Sequence, residues 1–324
     1  MIGYRINMDR SNDSFINNRI ASIDFLRSLC LLIVFMCHGW LLPNGITKQI
    51  VGNATGRALE VFFIVSGCFV AIKYNAKELK TIEFVSHELK KIYPLYLLGH
   101  VVILCYESML YVKGLILCPE KSYVIWIIKK MIISILMLNS WFPDEDYIYA
   151  FNGVGWFCST LIFLYFITPS LLRWFNRRKI SPVVVLFIVL AIRVLYTSVM
   201  HHLGIQNTLY WLSVLPLYRF GEYGAGICIG LIFLKEKKRI NSDIIQLLSV
   251  FLFVSTIIID CMIGGVGSAI VLFDLMVVIG LVFCVGVMDR IGSLRLSIWF
   301  SNLQKTISDI RHIKRYRNLR VSLS

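Results

Sequence analysis

The chain has 324 residues, 57% of them hydrophobic, and a formal charge of +14. Soluble domains hold about half apolar residues. Here the mean hydropathy is +0.73 and the apolar excess gathers in windows of about 20 residues, which excludes a soluble globular protein and points to an all-α polytopic transmembrane bundle. The basic residues fall in short segments between these windows, the positive-inside pattern of membrane proteins rather than a nucleic-acid interface. Such a basic face suits anionic lipid head groups or a phosphate-bearing donor.

Residues 1–20 are polar and show no cleavable signal, so the first span is expected to act as an uncleaved anchor with the N-terminus in the cytoplasm. Nine Cys residues are scattered without a CxxC pair or a Cys/His cluster at ligand spacing. They read as small buried hydrophobes, and no metal is expected.

The first predicted span, roughly 28–43, follows Arg27 in DFLRSLCLLIVFMCHGW. From Arg27 to His38 a helix takes eleven steps of about 100°, three turns plus roughly 20°, so the two share one face with Asp24 a turn earlier. Ionisable groups in hydrocarbon are costly and face a protein interior or a wet cavity, which makes this stripe a candidate site. A stripe that only fixes packing and topology is the competing reading.

The second span, roughly 58–74, opens on RALEVFFIVSG. A hairpin through 43–57 would set Glu60 and His38 at similar depth. The carboxylate would then orient the imidazole and leave its other ring nitrogen as general base; a register-fixing ion pair is the alternative. Ser66 and Gly67 follow. A nucleophilic Ser66 is weighed against close packing, since it lies about 9 Å deeper than Glu60 and small pairs let helices approach.

The third span, roughly 92–112, is entered through ELKKIYPLYL. Lys90 and Lys91 suit phosphate contacts there, or serve as a plain basic anchor. Residues 123–140 are nearly apolar enough for another span, but Lys129 and Lys130 at the centre would each cost about 2.5–3.5 kcal/mol on insertion. Counting it would also place the Arg173–Lys179 cluster outside. The segment therefore reads as interfacial or re-entrant, followed by a solvated outer stretch Asp144–Asp146.

Further spans fall at roughly 154–172, 182–200, 211–234, 244–263 and 266–288. Trp156 opens the first of these at the outer interface. Arg219 and Glu222, one turn apart in LYRFGEYGAGICIG, are expected to pair. Arg193, Asp260 and Asp274 are intramembrane charges with no partner evident in the sequence, and His87, His100, His201, His202 and His312 have no clustered one. The organisation is a cytoplasmic segment 1–20, a transmembrane domain 21–290 of about eight to ten spans, and a basic tail 291–324.

IDFLRSLCLLIVFMCH, EVFFIVSG, KKIYPLYLL, VGWFCSTLIFLYFITP and YRFGEYGAGICIG, in this order, resemble the acyltransferase-3 family of integral membrane acyltransferases. The resemblance covers about residues 19–290. It implies a bacterial inner-membrane enzyme taking a cytoplasmic acyl-CoA, usually acetyl-CoA, as donor. The acceptor would be a hydroxyl of a carbohydrate, free or lipid-linked, such as O-antigen, capsule or exopolysaccharide. It also implies that His38 is the essential catalytic group, with Arg27, Asp24, Ser66 and Gly67 at the matching motif positions. Two positions depart from the family pattern. Where Arg-x-x-Arg is common, this chain has Glu88 and Lys91, and Glu88 cannot hold a phosphate. After LQKTISDI the chain turns into RHIKRYRNLRVSLS rather than a final span, so an altered or truncated end is expected.

Two rivals use the same charged stripe or the same glycan. One is a transporter or flippase for a lipid-linked glycan, against which the sequence shows no internal repeat. The other is a glycan polymerase, which usually has a large outer loop.

Overall fold

The computed structural model describes residues 21–38, 46–75, 78–112, 121–178, 180–204 and 210–235. Among them the structure is all helical, with no strand. The helices are α1 (Ala21–His38), α2 (Ile46–Tyr74), α3 (Thr81–Val112), α4 (Lys121–Ile135), α5 (Glu145–Ile148), α6 (Gly155–Arg178), α7 (Pro182–His202) and α8 (Pro216–Lys235). The spans expected at 244–263 and 266–288, with Asp260, Asp274 and the tail 291–324, lie outside the described residues.

The chain divides into two compact units, with a boundary inside α2 between Ala58 and Leu59. In the first, α1 runs without Gly or Pro through its apolar stretch. Its Leu31, Leu32, Phe35 and Met36 are exposed while Cys30 is buried, the pattern of a helix with one face towards lipid.

The second unit is layered by burial. Four helices are long and apolar enough to cross a membrane: Thr55–Tyr74, Thr81–Tyr106, Gly155–Arg178 and Pro182–Met200. The apolar windows of α2 and α6 are 72% and 56% buried, whereas those of α3 and α7 are 11% and 17% buried. So α2, α6 and α8 make the core, around Phe63, Leu164, Tyr223 and Ile227, and α3 and α7 flank it. The exposed Leu95, Leu98, Val101 and Val102 of α3, and Val183, Val184, Phe187 and Ile188 of α7, form apolar faces far larger than a water-soluble monomer carries. They are faces for acyl chains.

Close approach of α2 and α8 depends on glycine. A Cβ on Gly67 would run into the Tyr223 carbonyl oxygen, one on Gly226 into that of Ile64, and one on Gly230 would come within 2.6 Å of the Cys68 oxygen. Backbones this close are a standard way for membrane helices to gain dispersion contact where lipid gives no hydrophobic drive.

Two elements differ from the expected spans. The window 211–234 is a five-residue π-type turn, Tyr210–Val214, followed by a helix that begins at Pro216. Proline has no N–H to donate and a φ already suited to a first helical turn, so the helix restarts there. In the window 123–140, α4 stops at Ile135. Its 15 residues rise about 22 Å, short of a bilayer core of roughly 30 Å. Lys130 stacks 3.4 Å over the Trp126 ring and reaches Asp146 at 3.1 Å, so its charge is answered by its neighbours.

Candidate functional site

Among the described residues of the second unit, four buried charged side chains converge on one place. Arg193 lies on α7, in a narrow stripe with the buried Leu190 and Thr197 on an otherwise lipid-facing helix. Arg219 and Glu222 are one turn apart near the start of α8, and Glu60 projects from α2. All four are buried: Glu60 is 7% exposed, Arg193 6%, Arg219 3% and Glu222 2%.

Glu222 is the hub. Its Oε1 accepts from Arg193 Nη2 at 2.6 Å and from Arg219 Nη1 at 2.6 Å. Arg193 Nη2 also donates to the Tyr218 hydroxyl at 3.2 Å and stands 3.7 Å from Glu60 Oε1. Arg219 Nε donates to the Ser213 carbonyl of the π-type turn. Aromatic rings take up the guanidinium faces: Arg193 lies 4.5 Å from the Tyr218 centroid, and Arg219 lies 5.4 Å from Phe63 and 5.9 Å from Trp156. Guanidinium stays charged in proteins, so two fixed cations face two carboxylates. Such a set is stable in a low dielectric only because each charge is answered. One atom stays over: Glu222 Oε2 is buried without a hydrogen-bond partner.

A second polar knot ties α3 to the segment after α4. His100 Nε2 is 2.6 Å from Ser134 Oγ, and His100 Nδ1 is 2.9 Å from the Tyr96 carbonyl. A carbonyl can only accept, so Nδ1 carries the proton; in the neutral ring Nε2 then accepts from Ser134. The Tyr96 hydroxyl donates to the Ser134 carbonyl at 2.7 Å, and Asn139 Nδ2 to the Tyr147 carbonyl at 2.9 Å. Ser134 and His100 have the composition of a nucleophile and its base. However, Ser134 is fully buried and also lies within hydrogen-bond distance of Tyr96, Asn139 and Ala150, which is the environment of a clamp.

At the opposite end of the second unit, Arg173 donates to the Leu79 carbonyl at 3.5 Å and Asn176 to the Asn75 carbonyl at 2.8 Å. Glu88 Oε1 accepts from Lys91 at 2.6 Å and from the Tyr74 hydroxyl at 3.2 Å.

The acyltransferase-3 family model, described as an acyltransferase domain, matches residues 20–310. The chain belongs to that family. No curated protein and no solved structure matches it.

In this membrane acyltransferase, Asp24, Arg27 and His38 all lie in the single helix α1, while their side chains lie outside the described residues. The second unit holds Glu60 in the ionic cluster, a half-buried Ser66, Gly67 against the backbone of α8, and exposed Lys90 and Lys91. Glu60, Arg219 and Glu222 are brought together; Lys90 and Lys91 are on α3, where Lys91 reaches Glu88, the partner of Tyr74 at the end of α2. The Arg219–Glu222 pair is present as expected. Two features were not evident in the sequence. Arg193 has its partners on other helices, Glu222 and Glu60. His100 is anchored at both ring nitrogens; the faint signal for it was Tyr96 one turn earlier on the same face.

The Asp144–Asp146 stretch is structural. Asp144 Oδ1 caps α5 by accepting from the Asp146 amide at 2.9 Å, and Asp146 pairs with Lys130. Among the described residues no group of three or more His, Cys, Asp or Glu could hold a metal ion. Burial, and then the nearby Glu145 charge, push the Tyr149 phenol above its ordinary range, so it stays protonated near neutral pH.

Proposed function

We propose that this acyltransferase moves an acetyl group from cytoplasmic acetyl-CoA to a hydroxyl of a cell-surface carbohydrate such as O-antigen, capsule or exopolysaccharide. It would act in the bacterial inner membrane with its N-terminus in the cytoplasm. The observation that carries the reading is the family match across residues 20–310. His38, oriented by Glu60 or Asp24, takes the proton from the sugar hydroxyl as that oxygen attacks the thioester carbonyl. The carbon–sulfur bond breaks, and the departing CoA thiolate takes the proton back from the imidazolium. Arg27 binds or orients the donor with Ser66 along its approach, while Gly67 lets α2 and α8 pack closely beside it. Of the two lysines, Lys90 is the better placed for a phosphate, because Glu88 already engages Lys91.

The test is transfer in isolated membranes from acetyl-CoA labelled in the acetyl group. Label entering the glycan with equal release of free CoA supports the reading. Intact acetyl-CoA beside stably made protein contradicts it, and a change in glycan chain length would indicate a polymerase instead.

A further inference from the structure

We propose that the segment 139–149 is a docking surface for the carbohydrate acceptor, offering the rings of Trp141, Phe142 and Tyr149 and the carboxylate of Glu145. The proposal rests on the reading above, in which a sugar hydroxyl receives the acyl group. Trp141, Phe142 and Tyr149 are 38%, 36% and 42% exposed, and they lie between α4 and α6 rather than along a lipid-facing helix. Three large rings left open in so short a stretch call for a partner. They are held in place. The Trp141 ring stands edge-on to Phe163 of α6 with centroids 5.0 Å apart, and Phe142 lies 5.4 Å from Tyr147. Beside them Ser140 Oγ meets Ser159 Oγ at 2.7 Å, and Asn139 Nδ2 donates to the Tyr147 carbonyl at 2.9 Å. A surface fixed before its partner arrives loses little freedom on binding.

Charge selects the partner. Asp144 caps α5 and Asp146 pairs with Lys130, whereas Glu145 is exposed beside the Tyr149 phenol. The stretch from Met131 to Leu172 contains no Lys or Arg. The basic residues Arg173, Arg177 and Arg178 stand at the other end of α6, the end that the positive-inside rule sets in the cytoplasm. The aromatic segment then faces the far side, where a surface glycan is met. Trp and Tyr that only anchor a protein stand among lipid head groups, and a carboxylate would be repelled by their phosphates. A polyol suits both parts of the surface. Its C–H faces pack on the rings, and its hydroxyls donate to Glu145.

The experiment measures initial rates with the full chain in detergent and labelled acetyl-CoA as donor. The acceptor, at varied concentration, is surface glycan purified from the same cells and stripped of acetyl groups by alkali. Rates are normalised to folded protein recovered by gel filtration, and retention of the chain on the immobilised glycan is read alongside. Trp141→Ala and Glu145→Gln are each expected to raise KM for the glycan on the order of tenfold, with kcat and KM for acetyl-CoA changed by less than about twofold. Trp141→Phe, which keeps a ring, is expected to recover most of the affinity. Trp174→Ala removes an exposed ring near the basic end of α6 and is expected to leave KM for the glycan unchanged. If Trp141→Ala gives no folded protein, the exposed Glu145→Gln carries the comparison. A wild-type KM for the glycan in either variant would overturn the proposal. So would equal effects of Trp141→Ala and Trp174→Ala, which would mark both rings as interfacial anchors. A wild-type chain that is retained on the glycan through Trp141 but forms no acetylated product would instead count against acyl transfer itself.

Discussion

At the residue scale, the decisive quantity is how each charge is answered. Glu222 receives two guanidinium groups at 2.6 Å while 2% exposed, whereas Asp146 pairs with Lys130 with its own side chain 55% exposed. Removing one partner of a buried ion set leaves an uncompensated charge, at a cost of roughly 3–5 kcal/mol. An exposed pair is worth about 1 kcal/mol or less. Glu222→Gln is therefore expected to lower the unfolding temperature of the detergent-solubilised protein markedly, and Asp146→Asn hardly at all. The same melting series tests the glycine contact. Gly226→Ala places a methyl where the Ile64 carbonyl oxygen stands, so α8 must shift, at a cost of about 1–3 kcal/mol.

Individual residues were unevenly legible in the sequence. The Arg219–Glu222 pair is three apart on one helix, a local relation that spacing alone reveals. Arg193 to Glu222 spans 29 positions and Arg193 to Glu60 joins α7 to α2, relations that exist only once α2, α7 and α8 have packed. His100 was hidden for the same reason, since Ser134 lies 34 positions away.

At the scale of elements, the Ser134 clamp sets how the chain turns after α4. Two non-glycine residues, Met137 and Phe151, have φ of 53° and 54°, conformations that the surroundings must enforce. Those surroundings are Asn139 bonded to the Tyr147 carbonyl and Ser134 held between His100, Tyr96 and Ala150. Ser134→Ala leaves the buried His100 Nε2 without that partner, a loss of about 1–3 kcal/mol. It is expected to make the segment 136–154 cut faster by a soluble protease, and cutting at the wild-type rate would show that the clamp does not hold the loop. Helical class and the apolar windows were readable here because hydropathy reports burial in lipid directly. The boundaries at Ile135 and Pro216 were less so, because an apolar run cannot tell a crossing helix from an interfacial one or from a turn.

At the scale of the whole molecule, a family match over residues 20–310 stands beside a second unit in which the buried charges Glu60, Arg193, Arg219 and Glu222 answer one another. The central claim is acetyl transfer to a surface glycan with His38 as base. The most direct measurement is the mass of purified surface glycan, before and after alkaline release, from cells with the intact gene, a deletion, or His38→Ala. The account predicts an acetyl increment, released by alkali, in the first alone. Identical glycans in all three, with the protein stably made in the first and third, would contradict it.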